Sequence, residues 1–137
     1  MTRARRPDLL RLRPGEAPAI VGQRCLACGE VRFPPDPFGC DACGAHGGDL
    51  EPRELEPCGA LRAFAVVHRH HRPRPATPFT VGVIALDAGP VLKAVLTTGE
   101  GLRIGQRMRA ELVVWEQADD GENVVDLQFG PDAEAPR

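Results

Sequence analysis

The chain contains no serine and no tyrosine. A serine nucleophile and a tyrosine general acid are therefore excluded from any chemistry it performs. Lysine occurs once, at Lys93, inside a segment that reads as a strand, so a Schiff-base lysine has one poorly placed candidate. Aromatic rings are few: Trp115 and five phenylalanines. There is no Gly-rich phosphate loop. No apolar run is long enough to span a bilayer, and no apolar stretch follows the N-terminal arginines as it does in a secretory signal. These features lead us to expect a cytoplasmic protein that does not enter a membrane. Reducing conditions there keep thiolates available to a metal and disfavour structural disulfides.

A length of 137 residues suits one ordinary domain or two small ones. The net charge of −2 gives no global pull toward nucleic acid or an anionic membrane. That balance hides a gradient. Arg3, Arg5, Arg6, Arg11 and Arg13 make the N-terminus basic, while Asp119, Asp120, Glu122, Asp132 and Glu134 make the C-terminus acidic. Such runs read as solvated tails.

Against this background the cysteines stand out. Cys25, Cys28, Cys40 and Cys43 form two Cys-x-x-Cys-Gly pairs, with eleven residues between them. Two intervening residues let both thiolates of a pair reach one ion, and Gly29 and Gly44 permit the tight turn after each pair. Two such pairs close a tetrahedron with no open position, which points to a structural zinc site; a rubredoxin-like iron site uses the same ligands. About twenty Pro- and Gly-rich residues cannot bury enough apolar surface to offset their ordering entropy, so the ion must supply that stability. His46 lies close enough in sequence to replace one sulfur, but four cysteines suffice without it. Cys58 has no partner in the pattern and reads as a small buried filler.

From residue 59 the pattern changes to period two, punctuated by turn signals. Segments 60–68, 78–86, 90–97, 107–117 and 123–129 read as five strands, with hairpin turns at "DAGP" and "DDGE". In the fourth, Met108, Ala110, Leu112 and Val114 share one face and Arg107, Arg109 and Glu111 the other. The predicted fold is mainly β: an N-terminal rubredoxin-like zinc ribbon followed by a five-stranded OB-fold barrel, with little helix. The expected divisions are a basic segment with a short helix near Pro7–Arg13 (1–18), the ribbon (19–57), the barrel (58–130) and an acidic flexible tail (131–137).

The most unusual loop is "HRHHRPRPATPF", residues 68–79. His68, His70 and His71 crowd together with Arg69, Arg72 and Arg74, and three prolines stiffen the second half of the loop. A solvated basic loop is the plain reading. A second metal site lacks a carboxylate or cysteine ligand. An anion clamp, in which guanidinium groups take phosphate oxygens in bidentate fashion, is the reading with chemistry in it.

The stretches "GQRCLACGEVRFPPDPFGCDACG", "GALRAFAVVHR", "PFTVGVIALDAGPVL" and "LRIGQRMRAEL", in that order, resemble the acyl-CoA-associated zinc-ribbon/OB-fold family. Members of that family are partner subunits of thiolase-like enzymes and of thiolase-fold retro-aldolases. The likeness covers most of residues 22–112. It implies an accessory subunit with no activity of its own, which stabilises a lipid-transfer-protein-type enzyme, helps bind an acyl-CoA thioester, and assembles as two copies on two. The substrates it implies belong to lipid, steroid side-chain or aromatic acid metabolism. It further implies a CoA-facing surface at the 68–79 loop, with Arg69, Arg72 and Arg74 near the CoA phosphates and Phe79 against the pantetheine arm. His68 then falls at the histidine of the family's "VVH" and acts as a hydrogen-bonding residue at the strand end. Two departures stand out: "RRPDLLRLRPGEAP" lacks the aromatic residues of the family's N-terminal helix, and Asp41 stands where proline is usual.

A rival reading is a single-stranded nucleic-acid-binding zinc-ribbon/OB module. Such binding depends on aromatic stacking platforms and a positive groove, and this chain is short of both.

Overall fold

The computed structural model describes residues 2–133. Ten strands and one 3-10 turn at Gly47–Asp49 make up its regular structure, and there is no α-helix among the described residues. The strands are β1 (Thr2–Ala4), β2 (Leu10–Arg11), β3 (Ala19–Cys25), β4 (Val31–Arg32), β5 (Leu50–Leu55), β6 (Cys58–Val67), β7 (Phe79–Leu86), β8 (Val91–Val95), β9 (Arg107–Gln117) and β10 (Asn123–Pro131).

The ribbon is a small antiparallel sheet centred on β3, which pairs with β2, β4 and β5. The barrel sheet runs β1-β10-β9-β6-β7-β8, and a parallel bridge between Leu96 and Phe129 brings its last strand round to β10. Strands β6 to β10 thus have the connectivity of an OB-fold, with the irregular segment 98–106 between the third and fourth barrel strands. Each predicted barrel strand is present, displaced by at most two residues at either end.

The two modules share one core. Leu61, Ile84 and Met108 have no accessible surface, and Ile20 and Leu55 from the ribbon join the same cluster. Full burial of each such side chain contributes about 2 kcal/mol. Strand β7 shows why the period-two pattern was readable: its residues alternate half-buried and buried from Phe79 to Leu86.

The expected helix near Pro7–Arg13 is absent. The amides of Leu9 and Leu10 both donate to the Arg6 carbonyl, making a single turn, and the chain then extends so that Leu10 pairs with Ile20. An isolated helix of seven residues ended by Pro14-Gly15 lacks the length to sustain itself. Burying Leu10 on the ribbon stabilises the extended form instead. The basic arm is not a solvated tail either. It adds β1 in parallel to β10, with Arg3 beside Glu122 at 3.4 Å and Arg5 beside Asp126 at 3.0 Å. Arg5 also lies 4.0 Å over the Trp115 ring, a cation–π contact. Of the expected acidic tail, Pro131 ends β10 and Asp132 accepts from Arg109; residues 134–137 lie outside the described ones.

Asp87, in the turn after β7, receives both guanidinium nitrogens of Arg107, one at 2.9 Å, and faces the Cys58 thiol at 3.5 Å. The Arg107 hydrogen bonds hold its carboxyl below the ordinary carboxylate range. A depressed carboxylate adds stability that is present above its unfolded pKa and lost as pH falls through the folded one. Asp87→Asn is therefore expected to lower the unfolding free energy measured in urea at pH 7 by about 1 kcal/mol or less, because the pair is half exposed. The wild-type and variant midpoints should converge as the pH drops below the carboxylate range.

Candidate metal centre and barrel loop

The two knuckles are near copies of one another. Gly29 N–H donates to the Cys25 carbonyl at 2.7 Å, and Gly44 N–H donates to the Cys40 carbonyl at 2.8 Å. Both glycines adopt left-handed backbone, with φ of 82° and 79°, which explains the residue type at each. Cys25 N–H is taken by the Glu30 carbonyl and Cys40 N–H by the Ala45 carbonyl, closing each loop on itself.

The four sulfurs lie within 4.8 Å of one another. Cys25 Sγ is 3.6 Å from Cys43 Sγ, and Cys28 Sγ is 3.7 Å from Cys40 Sγ. These separations are far beyond a disulfide bond. They match the edge of a tetrahedron with metal–sulfur distances of about 2.3 Å, roughly 3.8 Å. The donor set thus fits a closed four-thiolate zinc site. Cys25 and Cys40 are buried, whereas Cys28 and Cys43 face solvent.

The crowded thiols cannot all ionise on their own. Backbone N–H donation, chiefly from Cys28, draws Cys25 down to about 7. Cys28 receives a lowering hydrogen bond from the Glu30 backbone, yet burial and the neighbouring sulfurs push it up to about 12. A divalent cation reverses that repulsion and deprotonates the set.

Arg32, on the strand between the knuckles, has its Nη1 3.2 Å from Asp41 and 3.7 Å from Asp36. Asp41 thus makes an ion pair that ties the second knuckle to β4. His46 stands at the N-cap position of the 3-10 turn without a side-chain capping hydrogen bond, and belongs to none of the clusters of potential ligands found among the described residues. Cys58 is buried, and desolvation, Glu56 and Asp87 push its thiol up, which suits a filler and not a nucleophile.

The loop after β6 is stiff and exposed, but its residues do not converge. His70 packs edge-on against Phe79 with ring centroids 5.3 Å apart, and lies 5.2 Å from His71. The three histidines form no metal cluster among the described residues. Arg74 is spent on protein: its guanidinium donates to the Trp115 carbonyl. Trp115 is the extra residue of a bulge, since Val114 pairs with Val125 and Glu116 with Val124, and its carbonyl is displaced from the ladder. Arg69 and Arg72 are exposed and have no carboxylate partner among the described residues. His68 is exposed at the strand end.

Sequence reasoning missed a cavity of about 290 Å³ between the N-terminal arm, the ribbon and the barrel. Leu10, Ile20, Phe33, Leu92, Trp115 and Phe129 contribute to its walls, and no residue of the 68–79 loop does. The arm contributes Arg5, Arg6, Leu9 and Leu10 to its walls, and no local pattern announces that docking.

Fold and site together define a class: a four-cysteine ribbon joined to an OB-fold barrel through a common core. Residues 52–113 match the sequence family described as "ChsH2, C-terminal OB-fold domain". Among solved structures, a chain of an "Ltp2-ChsH2(DUF35) aldolase" aligns with a TM-score of 0.65 and 25% identity, covering 82% of this chain and 84% of that one. A "Probable enoyl-CoA hydratase alpha subunit" of Thermomonospora curvata is 31% identical over 104 residues, which is 73% of this chain. The chain spans only 30% of that relative's length. Residues 52–113 thus match the ChsH2-type OB-fold domain, and the chain across ribbon and barrel resembles the DUF35 chain of that aldolase. Among the described residues, no helix is long and apolar enough to cross a membrane.

Proposed function

We propose that this chain is a non-catalytic accessory subunit of a thiolase-like or retro-aldolase complex, where it stabilises the enzyme and helps bind acyl-CoA thioesters. The observation that carries the reading is the likeness, across ribbon and barrel together, to a chain of the Ltp2–ChsH2 aldolase. The residues are consistent with it. Serine and tyrosine are missing, the spare thiol is pushed up and buried, and the four remaining thiols fit a closed metal site. Cys25, Cys28, Cys40 and Cys43 hold a zinc ion whose role is to fix the ribbon. The partner is a thiolase-fold, lipid-transfer-protein-type enzyme, in a two-plus-two heterotetramer. It supplies the catalytic groups for a lipid, steroid side-chain or aromatic acyl substrate.

The barrel meets the thioester through the 68–79 loop. Arg69 and Arg72 present free guanidinium groups to the CoA phosphates, Arg74 anchors the loop on β9, and Phe79 with His70 forms an apolar shelf for the pantetheine arm. His68 serves as a hydrogen-bonding group at the strand end. Replacing Arg69, Arg72 and Arg74 together with alanine is expected to weaken CoA-thioester binding by the purified complex about 100-fold or more, since Arg69 and Arg72 each lose a charge-assisted contact worth about 1.5 kcal/mol and the loop loses its Arg74 anchor. Isothermal titration at two salt concentrations measures this. Unchanged affinity removes the loop from the thioester site.

A further inference from the structure

The barrel's last seam, between β8 and β10, is closed at one end only. The two strands run parallel and meet in the Leu96–Phe129 bridge, where Thr97 N–H donates to the Phe129 carbonyl at 2.9 Å. Toward the start of both strands no ladder joins them among the described residues. There β10 takes the N-terminal arm instead: Thr2–Ala4 pair with Asn123–Val125, and Arg5 N–H donates to the Val125 carbonyl at 2.8 Å. Between bridge and arm the seam stays open. Residues 92–95 of β8 and 126–129 of β10 all line the cavity of about 290 Å³ described above, which is a slot between these two strands.

The slot has an apolar floor and a polar mouth. Leu92 stands opposite Ile84 and Ala94 opposite Gly82, both buried positions, so these two face the barrel interior. Leu127 shares the face of buried Phe129. Ile20 and Phe33 of the ribbon close the floor behind them. Lys93, Asp126 and Gln128 alternate with the inward residues and stand at the mouth. The charges there do not cancel. Arg5 is matched by Asp126 and Arg6 by Asp8, each at 3.0 Å. Lys93, the chain's only lysine, is exposed and has no carboxylate partner among the described residues. One positive charge is left over beside an apolar slot.

We infer that the slot binds an unbranched aliphatic monocarboxylate of medium chain length, with its tail between β8 and β10 and its carboxylate on the Lys93 ammonium. Shape selects the chain. Four residues of strand span about 13 Å. A cavity of about 290 Å³ extending along them is long and narrow, and lies at the small end of ligand sites. Charge selects the head, since a single spare cation suits one carboxylate and not the several phosphates of a nucleotide. The site is separate from the thioester surface proposed on the 68–79 loop, no residue of which lines the slot.

The test uses the purified whole chain without a partner enzyme, so its result is independent of the accessory-subunit reading. Trp115 lines the slot and is the only tryptophan in a chain that has no tyrosine, so intrinsic emission reports on this site alone. Decanoate, kept below its micelle-forming concentration, should shift that emission and saturate at one site per chain in isothermal titration. Butyrate should bind at least 100-fold more weakly, because most of the buried methylenes are gone. Decanol, with the same chain and no charge, should bind about 10-fold more weakly. Lys93→Glu exchanges an attraction for a repulsion and should cost decanoate about 10-fold without moving the melting temperature, since the side chain is exposed. Ala94→Leu places a branched side chain in the floor and should weaken decanoate by a similar factor, while Ile104→Ala, exposed and away from the slot, should bind as wild type does. The inference is overturned if decanoate leaves Trp115 emission unchanged and gives no heat, if decanol binds equally well, or if Lys93→Glu keeps wild-type affinity. Displacement of decanoate by coenzyme A also overturns it, because the anion would then belong to the 68–79 loop.

Discussion

Serine at both Cys25 and Cys40 is expected to abolish zinc binding and to unfold residues 25–50 while the barrel strands persist. Between those two cysteines and the start of β5 the structure offers almost nothing else to hold the chain. Of residues 26–49 only Cys40 is buried, and the regular structure amounts to two residues of β4 and one 3-10 turn. Ordering some two dozen residues costs on the order of 1 kcal/mol each in backbone entropy alone. Structural zinc binding is coupled to folding in such small modules, and here it acts together with the β3–β4 pairing and the packing of Val31 and Phe33 on the core to oppose that entropy. Metal analysis should give one zinc per wild-type chain and none per variant. Amide resonances of 25–50 should collapse to random-coil shifts, while those of β7 to β10 keep their dispersion. Acid should release the metal as the thiolates are protonated. A metal-free chain with an ordered ribbon would sink the structural role, as would absorption spectra showing an oxygen ligand on the ion.

That result separates what the sequence could disclose from what it could not. The clustering of the four cysteines was legible because its chemistry is local: two thiols three residues apart and a glycine in left-handed backbone make a knuckle whatever surrounds it. The barrel strands were legible because alternation survives translation into three dimensions, as the buried and half-buried rhythm of Phe79–Leu86 shows. The same alternation misled at its far end. Leu112 and Val114 continue the core face of β9 in register, yet they are exposed, because they lie beyond the part of β9 that pairs with β6.

The N-terminal arm was the larger miss. Arg3 and Arg5 meet Glu122, Asp126 and Trp115 across more than a hundred residues of sequence. The charge gradient was visible, but oppositely charged ends are as compatible with two solvated tails as with a docked strand. Likewise Arg74 reads as a free cation in "HRPRPATPF", and only the bulge at Trp115 provides the carbonyl that engages it.

Gly59 sits where the ribbon hands over to the barrel, and its replacement should rank among the most damaging single changes outside the metal site. It pairs with Leu86 on one side and Met108 on the other, so β6 is sandwiched between two neighbours at that point. A Cβ there would lie 2.1 Å from the Ala85 carbonyl oxygen and 2.7 Å from Leu86 Cα. Both obstacles are backbone, which no rotamer change can move aside. The strands must separate, and that opens the core around Leu61, Ile84 and Met108, where packing is complete. Gly59→Val is expected to cost on the order of 4 kcal/mol, a fall of roughly 15 °C in melting temperature for a protein of this size. Gly59→Ala should lose much of the same, since the first carbon already collides. Gly48→Ala provides the contrast: nothing lies within 4 Å of its Cβ position, and its stability should stay within about 0.5 kcal/mol of wild type. Urea unfolding of the three variants measures the series. A Gly59→Ala protein as stable as the Gly48→Ala one means that β6 and β7 are not held at this spacing, and then the shared core cannot be what fixes the ribbon to the barrel.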